Sequence, residues 1–238
     1  MDYSSQFAWV IFPYMMIVLT IVGHVYRYNT DQMGWTTKSS ELLEKKDLRL
    51  GSMLFHYGFL FVIGGHIVGL FIPRSIVTAI GISNELYHEI AISTGTIAGI
   101  VTLIGLWILT KRRFTNKRII ATSSFTDKLI LILLLAEMLL GLYNTLFHNL
   151  IFGDYYYRET ISPWFRGLFV FAPNAKLMAD VPFAFKLHIL LAFIIFGLWP
   201  FTRLVHVWSF PIAYIRRTRM IYRRRCGNIT EKQRSYHE

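Results

Sequence analysis

The sequence predicts an all-α integral membrane protein, built as a bundle of five transmembrane helices. Hydrophobic residues make up 54% of its 238 residues and the mean hydropathy is +0.42, too apolar for a soluble domain. Five runs with few or no charges are each long enough to cross a bilayer. They cover approximately residues 6–26, 52–72, 90–110, 129–147 and 183–202. We interpret residues 1–238 as a single membrane domain that ends in a basic cytoplasmic tail at 209–238.

The distribution of positive charge predicts the orientation of the bundle. Of the 25 Lys and Arg residues, 20 lie in the segments 27–50, 111–128 and 203–238. By the positive-inside rule, the N-terminus is outside and the C-terminus is cytoplasmic. Lipid head groups and a cytoplasmic partner account for the net charge of +11, so no nucleic acid is expected to bind. The single cysteine, Cys226, argues against a thiolate-bound iron–sulfur cluster in this chain.

The first apolar run is predicted to be a retained span. It has Asp2 and no Lys or Arg before Arg27, which is the reverse of the basic start of a signal peptide. The following loop, residues 36–52, has mixed charges and leucines at helical spacing. This pattern predicts a short amphipathic helix that could dock a partner.

The second and fifth spans each carry two histidines. His56 and His66 are ten residues apart on the second span, and His188 and His206 are separated by Pro200, a predicted kink, on the fifth. Antiparallel helices would pair His56 with His206 and His66 with His188. Ten helical residues rise about 15 Å and eighteen rise about 27 Å, so tilt or bending must absorb the difference.

Two histidines on each of two facing helices favour a pair of haems with bis-histidine ligation. Such ligation fills both axial positions of the iron and suits electron transfer. We predict that His56 and His206 bind the inner haem iron, and that His66 and His188 bind the outer one. The alternative for each histidine is a packed, hydrogen-bonded role. A haem-free anchor or transporter is the corresponding alternative for the chain, but it leaves the placement of the histidines unexplained.

Other polar residues mark the two ends of the bundle and its middle. Tyr87 and His88 precede the third span on the outer side, where a proton acceptor could meet a membrane-borne substrate; an exposed histidine at a helix start is the alternative. Glu137 lies near the middle of the fourth span, where a carboxyl must be protonated or paired. We expect it to form a hydrogen bond within the bundle, with proton relay as the alternative.

A long connection and three arginines are predicted to lie at opposite ends of the bundle. The connection 148–182 is rich in aromatic residues and is predicted to lie on the outer surface as a lid. On the cytoplasmic edge, Arg112, Arg113 and Arg203 are candidates for pairing with the propionates of the inner haem.

The chain resembles the gamma subunit, or cytochrome b subunit, of the membrane-bound respiratory nitrate reductases. The resemblance covers nearly the whole sequence and includes both histidine pairs. It is carried by PYMMIVLTIVGHVYRY, WTTKSSELLEKK, LFHYGFLFVIGGHIVGLFIP, LTKRRF and FAFKLHILLAFIIFGLWPFTRLVHVWSFP. The equivalent subunit of another molybdenum enzyme or of a hydrogenase is the alternative, and WTTKSSELLEKK favours nitrate reductase.

The resemblance implies a quinol-oxidising subunit in a bacterial cytoplasmic membrane. Such subunits pass electrons from quinol, near the outer face, through two haems b to an iron–sulfur beta subunit. That subunit supplies a molybdenum alpha subunit, which reduces nitrate on the cytoplasmic side. By position, Arg112 and Arg203 match residues near the inner propionates. Some members have a lysine where this chain reads Leu86-Tyr87-His88-Glu89, and His88 is our candidate quinol contact.

Overall fold

Five long apolar helices make up most of the computed structural model, which describes residues 3–148, 153 and 155–209. Each is long and apolar enough to cross a bilayer, which confirms the predicted all-α, five-helix fold class. Four of the five extend beyond the apolar runs that predict them. With the shorter helices, the order is α1 (Tyr3–Thr30), α2 (Lys46–Phe71), α3 (Arg74–Ala79), α4 (Asn84–Thr115), α5 (Lys117–Thr122), α6 (Phe125–His148), α7 (Ile161–Phe169) and α8 (Phe183–Phe201).

Side-chain caps explain where two of the spanning helices begin. The hydroxyl of Ser83 accepts a hydrogen bond from the backbone N–H of Leu86 at the start of α4. At the start of α6, Ser124 and Asp127 form a reciprocal capping box. These bonds satisfy N–H groups that have no partner inside the helix.

Close approach between α2 and α4 depends on glycines. A Cβ added at Gly105 would lie 2.8 Å from the backbone oxygen of Gly51. One added at Gly58 would lie 2.8 Å from the backbone nitrogen of Thr102. By contrast, a Cβ added at Gly65 meets no atom within 4 Å. The close contact between the two helices therefore lies along the half of α2 that contains Gly51 and Gly58.

The predicted lid is a packed cap on one end of the bundle. Trp164 of α7 is 1% exposed, and its indole N–H donates to the carbonyl of Trp9 in α1 at 2.8 Å. Ser162 donates to the carbonyl of Gly69 in α2 at 2.9 Å. A cluster of buried residues joins α7 to α1 and α8; it consists of Trp9, Ile161, Trp164, Leu168, Ala175, Met178, Val181 and Phe193.

At the opposite end, which carries the basic segments, arginines connect the helices. Arg27 at the end of α1 donates to the carbonyls of Pro200, at 2.6 Å, and Thr202, at 2.9 Å. It also donates to Gly34, at 2.6 Å. The segment 36–45 forms turns, and its residues up to Lys45 lie outside any helix. The short amphipathic helix expected over 36–52 is therefore wrong: the part from Lys46 is the first turns of α2.

Pro200 changes the path of the chain between His188 and His206. The α-helical part of α8 ends at Leu198, a 3-10 turn covers Trp199–Phe201, and Thr202 is extended. His206 lies on a further 3-10 turn, Arg203–Ser209. His188 and His206 therefore do not lie on one straight helix. The rise of about 27 Å expected for eighteen helical residues does not apply to this segment. Residues 210–238, which make up nearly all of the predicted tail, lie outside the described residues.

Candidate functional site

Four histidines form two pairs. The ring centres of His56 and His206 are 6.1 Å apart, and those of His66 and His188 are also 6.1 Å apart. These are the pairs that the antiparallel arrangement predicts. His56 and His66 are exposed, whereas their partners are half-buried.

Three of the four histidines use the same ring nitrogen for a hydrogen bond. In His56, His66 and His206, Nδ1 contacts the backbone carbonyls of Ser52, Val62 and Arg203 at 2.7, 2.8 and 2.7 Å respectively. A carbonyl oxygen can only accept, so Nδ1 carries the hydrogen in each bond. In the neutral ring, Nε2 then keeps its lone pair, which is the form in which an imidazole binds a metal.

The spacing of each pair fits two imidazoles bound to one metal. Ligation at about 2.0–2.1 Å from opposite sides sets the ring centres roughly 6 Å apart. Because a Cβ added at Gly64 or Gly65 meets no atom within 4 Å, space is open beside His66. Among the described residues, no group of three or more His, Cys, Asp or Glu could hold a metal ion. The pairs instead fit a haem, which supplies the equatorial nitrogens itself and takes an axial imidazole on each face.

The environment of His188 differs from that of the other three. Its Nδ1 lies 3.0 Å from Oε1 of Glu137 on α6. One turn further along α6, a Cβ added at Gly141 would lie 3.3 Å from Cε1 of the same ring. Glu137 and Gly141 therefore provide, respectively, a polar neighbour and the space for the His188 imidazole.

Arg112 is tied to the loop before α2. It is 4% exposed and pairs with the carboxylate of Glu44 through its Nε. It also donates to the hydroxyl of Ser40 at 2.9 Å and to the carbonyls of Ser40, at 3.0 Å, and Glu44, at 2.6 Å. Four of the five guanidinium N–H groups are thus directed to this loop. Burial raises the pKa of Glu44, but the bonds from Arg112 and the backbone outweigh it, so the net shift is downward.

Arg203 belongs to a second cluster of basic residues. It donates to the carbonyl of Thr37, while Arg113 lies 3.9 Å from Asp127 and donates to Ser123 at 2.8 Å. Burial and the positive charge of Arg113 lower the pKa of Arg203 to about 10, although Asp127 acts in the opposite direction. A negative group here would offset the mutual repulsion of the arginines.

His88 lines a cavity of about 260 Å³ at the end of the bundle opposite Arg112. Its ring centre is 5.0 Å from that of Tyr156, and the guanidinium of Arg158 lies 4.0 Å from the ring centre of Tyr87. Arg74 pairs with Glu159 at the same cavity. A cavity with aromatic walls and several hydrogen-bonding groups suits a flat polar ring.

Tyr157 connects this cavity to α2. A Cβ added at Gly69 would lie 3.2 Å from the Tyr157 ring, so glycine makes room for the tyrosine near His66. Burial and a hydrogen bond with Tyr87 raise the pKa of the Tyr157 hydroxyl. The hydroxyl therefore stays protonated at neutral pH and can donate or accept a hydrogen bond.

Comparisons with known proteins determine the family of the chain. The sequence model of the nitrate reductase gamma subunit family matches residues 5–225. The nitrate reductase gamma chain of Bacillus subtilis (strain 168) is 51% identical over 222 residues, 93% of this chain and 99% of that protein. The chain belongs to the nitrate reductase gamma subunit family. The family predicted from the sequence is confirmed.

Two more distant relatives extend this result. The respiratory nitrate reductase 1 gamma chain of Escherichia coli K12 is 33% identical over 94% of this chain and 100% of that protein. The nitrate reductase-like protein NarX of Mycobacterium tuberculosis is 42% identical over 94% of this chain, but the match covers 34% of NarX. Sequence similar to this chain therefore makes up the whole of one relative and about a third of the other.

Within this gamma subunit, several contacts were not predicted from the sequence. Tyr157 and Arg158 join His88 at the cavity, although the sequence indicates only that they lie in an aromatic connection. The proximity of Glu137 to His188 was also missed, because residues 51 positions apart carry no periodic signal. The isolated carboxyl in an apolar span was the available indication that Glu137 needs a partner.

Proposed function

We propose that this chain is the quinol-oxidising, dihaem b membrane subunit of a respiratory nitrate reductase. In this proposal His56 and His206 are the axial ligands of the inner haem, and His66 and His188 are those of the outer haem. The observation that carries it is the geometry of the two histidine pairs, each 6.1 Å between ring centres. Membership of the gamma subunit family supports the proposed reaction and the proposed assembly into a nitrate reductase complex.

A haem held by each histidine pair would carry one electron at a time. Quinol oxidation releases two electrons and two protons, and the two electrons would therefore leave the quinol one after the other. On the outer side, His88 and Tyr157 bind and orient the quinol hydroxyls, with His88 as proton acceptor. Tyr156 packs against the His88 ring and keeps it facing the cavity. Protons released at this end stay outside while electrons move inward, which makes the reaction electrogenic.

At the inner end, Arg203 is the stronger candidate for a propionate partner. Its neighbours Arg113 and Arg112 make the cluster net positive, which favours a bound anion. Arg112, also predicted to lie near a propionate, directs four N–H groups to Ser40 and Glu44. We assign it mainly to holding the loop before α2 at this end of the bundle.

The remaining assignments concern topology and partners. Residues 1–238 act as one membrane domain with the N-terminus outside and the basic segments and tail on the cytoplasmic side. An iron–sulfur beta subunit docks there and passes electrons to a molybdenum alpha subunit, which reduces nitrate with two electrons and two protons to nitrite and water. Anionic lipid head groups contact the basic segments.

A redox-titrated visible spectrum tests the haem assignment. Wild type should show two b-type components, His66→Ala should lose the outer one and His56→Ala the inner one. Ser93→Ala, at an exposed position of α4 that belongs to neither pair, is the control and should keep both. Absence of haem absorbance in the wild type would rule out the proposal and support a haem-free anchor or transporter instead.

A further inference from the structure

Within the bundle, the half-buried side chains of Glu137 and His188 are neighbours. Nδ1 of His188 is 3.0 Å from Oε1 of Glu137, and the two side chains are 21% and 14% exposed. Neither Nδ1 nor the second oxygen, Oε2, has a well-aligned hydrogen bond within the described residues. Buried polar atoms require partners, and rotation of the imidazole about its broad χ2 well aligns the N–H with the carboxyl.

The other three paired histidines donate to backbone carbonyls. Those acceptors belong to Ser52, Val62 and Arg203. A carboxyl oxygen that accepts the Nδ1 hydrogen makes the imidazole a more basic, more electron-donating ligand than a carbonyl does. His188 is therefore set apart by a neighbouring side chain, whereas the acceptors of the other three are fixed by the backbone.

We propose that Glu137 is a positioning residue that orients His188 and lowers the reduction potential of the haem held by His66 and His188. This inference rests on the proposed function, because it takes His188 to be an axial ligand. A more electron-donating axial imidazole stabilises the oxidised iron relative to the reduced iron. The outer centre then gives up its electron more readily than the inner one, which favours inward transfer.

The space around the ring supports an orienting role. Gly141 lies one turn from Glu137 on α6, and a Cβ there would lie 3.3 Å from Cε1 of His188. On the face of α6 toward α8, Glu137 thus offers a hydrogen-bond acceptor, and Gly141, which has no side chain, leaves room for the ring. The imidazole is held between them with Nδ1 toward Glu137, which leaves Nε2 for the metal.

Redox titration of Glu137→Gln and Glu137→Leu in the assembled complex tests the proposal. Glutamine keeps an acceptor oxygen of lower basicity, and leucine removes it. The outer component should titrate at a higher potential in the order wild type, Gln, Leu. We expect roughly a tenfold change in the one-electron equilibrium for Leu, which corresponds to about 59 mV. The inner component, measured in the same sample, should not move.

Met138→Leu is the matched packing control. Met138 is buried beside Glu137 on the same helix, and a volume-conserving change there tests packing alone. The low-temperature electron paramagnetic resonance signal of the oxidised outer haem, which reports its axial ligands, should change with Gln or Leu but not in the control. Loss of the outer haem from Leu and its retention in Gln would also support the proposal.

Three results would overturn the inference. The first is an unchanged outer potential in both variants with both haems retained. The second is an equal shift in Met138→Leu, which would assign the effect to packing. The third is loss of the outer haem from both variants while the inner one remains, which would make the role structural. A wild-type complex without two b-type components would instead refute the proposed function itself.

Discussion

At the scale of single residues, a neighbouring acceptor determines which nitrogen is protonated in three of the four paired histidines. For His56, His66 and His206 this acceptor is a carbonyl within one turn of the same helix. The Nδ1–H form of these rings is thus a product of local helix geometry. For His188 the neighbouring acceptor is Oε1 of Glu137, a residue of another helix. Of the four proposed haem ligands, only His188 therefore has its neighbouring acceptor on another helix.

Substitution of His88 should affect quinol oxidation without affecting the haems. In His88→Phe the aromatic contact with Tyr156 can remain, but the polar ring nitrogens are lost. Loss of one hydrogen bond, about 0.5–1.5 kcal/mol, should raise KM for a soluble quinol analogue up to roughly tenfold. The visible spectrum should keep both components. Unchanged steady-state kinetics in the variant would contradict the assignment of His88 to the quinol site.

The Glu44–Arg112 pair should make stability depend on pH. The folded-state pKa of Glu44 lies below its usual value of 4.5. The pair therefore contributes its full stability above about pH 4.5 and loses it as the pH falls through the lower folded-state value. Thermal unfolding in detergent should show a steeper fall in Tm on acidification for wild type than for Glu44→Gln.

At neutral pH, Glu44→Gln should lower stability by about 1–3 kcal/mol, because the buried Arg112 loses its charged partner. Glu41→Gln is a suitable control, since Glu41 pairs with Lys45 only at the surface. Equal effects of the two substitutions would contradict a special role for the Glu44–Arg112 pair.

At the scale of helices, glycine determines how closely α2 and α4 pack. A side chain at Gly105 would meet the backbone of Gly51 and Leu54, which cannot move without separating the helices. We expect Gly105→Ala to destabilise the protein by about 1–3 kcal/mol, measured as a lower Tm in detergent. Gly95→Ala on the same helix should have little effect, because the added Cβ would lie 3.8 Å from its nearest neighbour, the Thr145 methyl group. Equal destabilisation by both would contradict a specific packing role for Gly105, because alanine has a higher helix propensity than glycine and the exchange is otherwise favourable.

Helix ends and loops were harder to predict than the existence of the spans. Hydropathy identifies five runs because about 20 apolar residues are needed to cross a bilayer. It does not reveal that α4 continues through Lys111 to Thr115, since the helix can continue where charges leave the membrane. The pattern over 36–52 fitted a helix, but Ser40 and Glu44 instead bind Arg112.

The histidine pairing was predictable and its detailed geometry was not. Antiparallel helices bring the four rings together two by two, and this follows from topology. Pro200 indicates a break between His188 and His206 in the sequence itself. The hydrogen bonds from Arg27, on another helix, to the carbonyls of Pro200 and Thr202 have no signature in the local sequence.

At the scale of the whole molecule, the two ends have different chemistry. One end has the basic cluster around Arg203 and Arg112, and the other has the aromatic cap and the cavity around His88. The two histidine pairs lie between α2 and the segment that runs from α8 to Ser209. In the proposed function they connect the quinol cavity around His88 to the basic end of the bundle.

Orientation can be measured with the single native cysteine. Cys226 lies in the basic tail, which the positive-inside rule assigns to the cytoplasm. A membrane-impermeant maleimide should therefore label it in inverted vesicles or after lysis, but not in intact spheroplasts. The matched variant combines Cys226→Ser with Ser4→Cys near the start of α1, and it should show the opposite pattern. Labelling of Cys226 from outside, with the cysteine of Ser4→Cys protected, would show that the bundle has the opposite orientation in the membrane. Quinol oxidation would then occur on the cytoplasmic face, and the partner subunits would have to dock on the other.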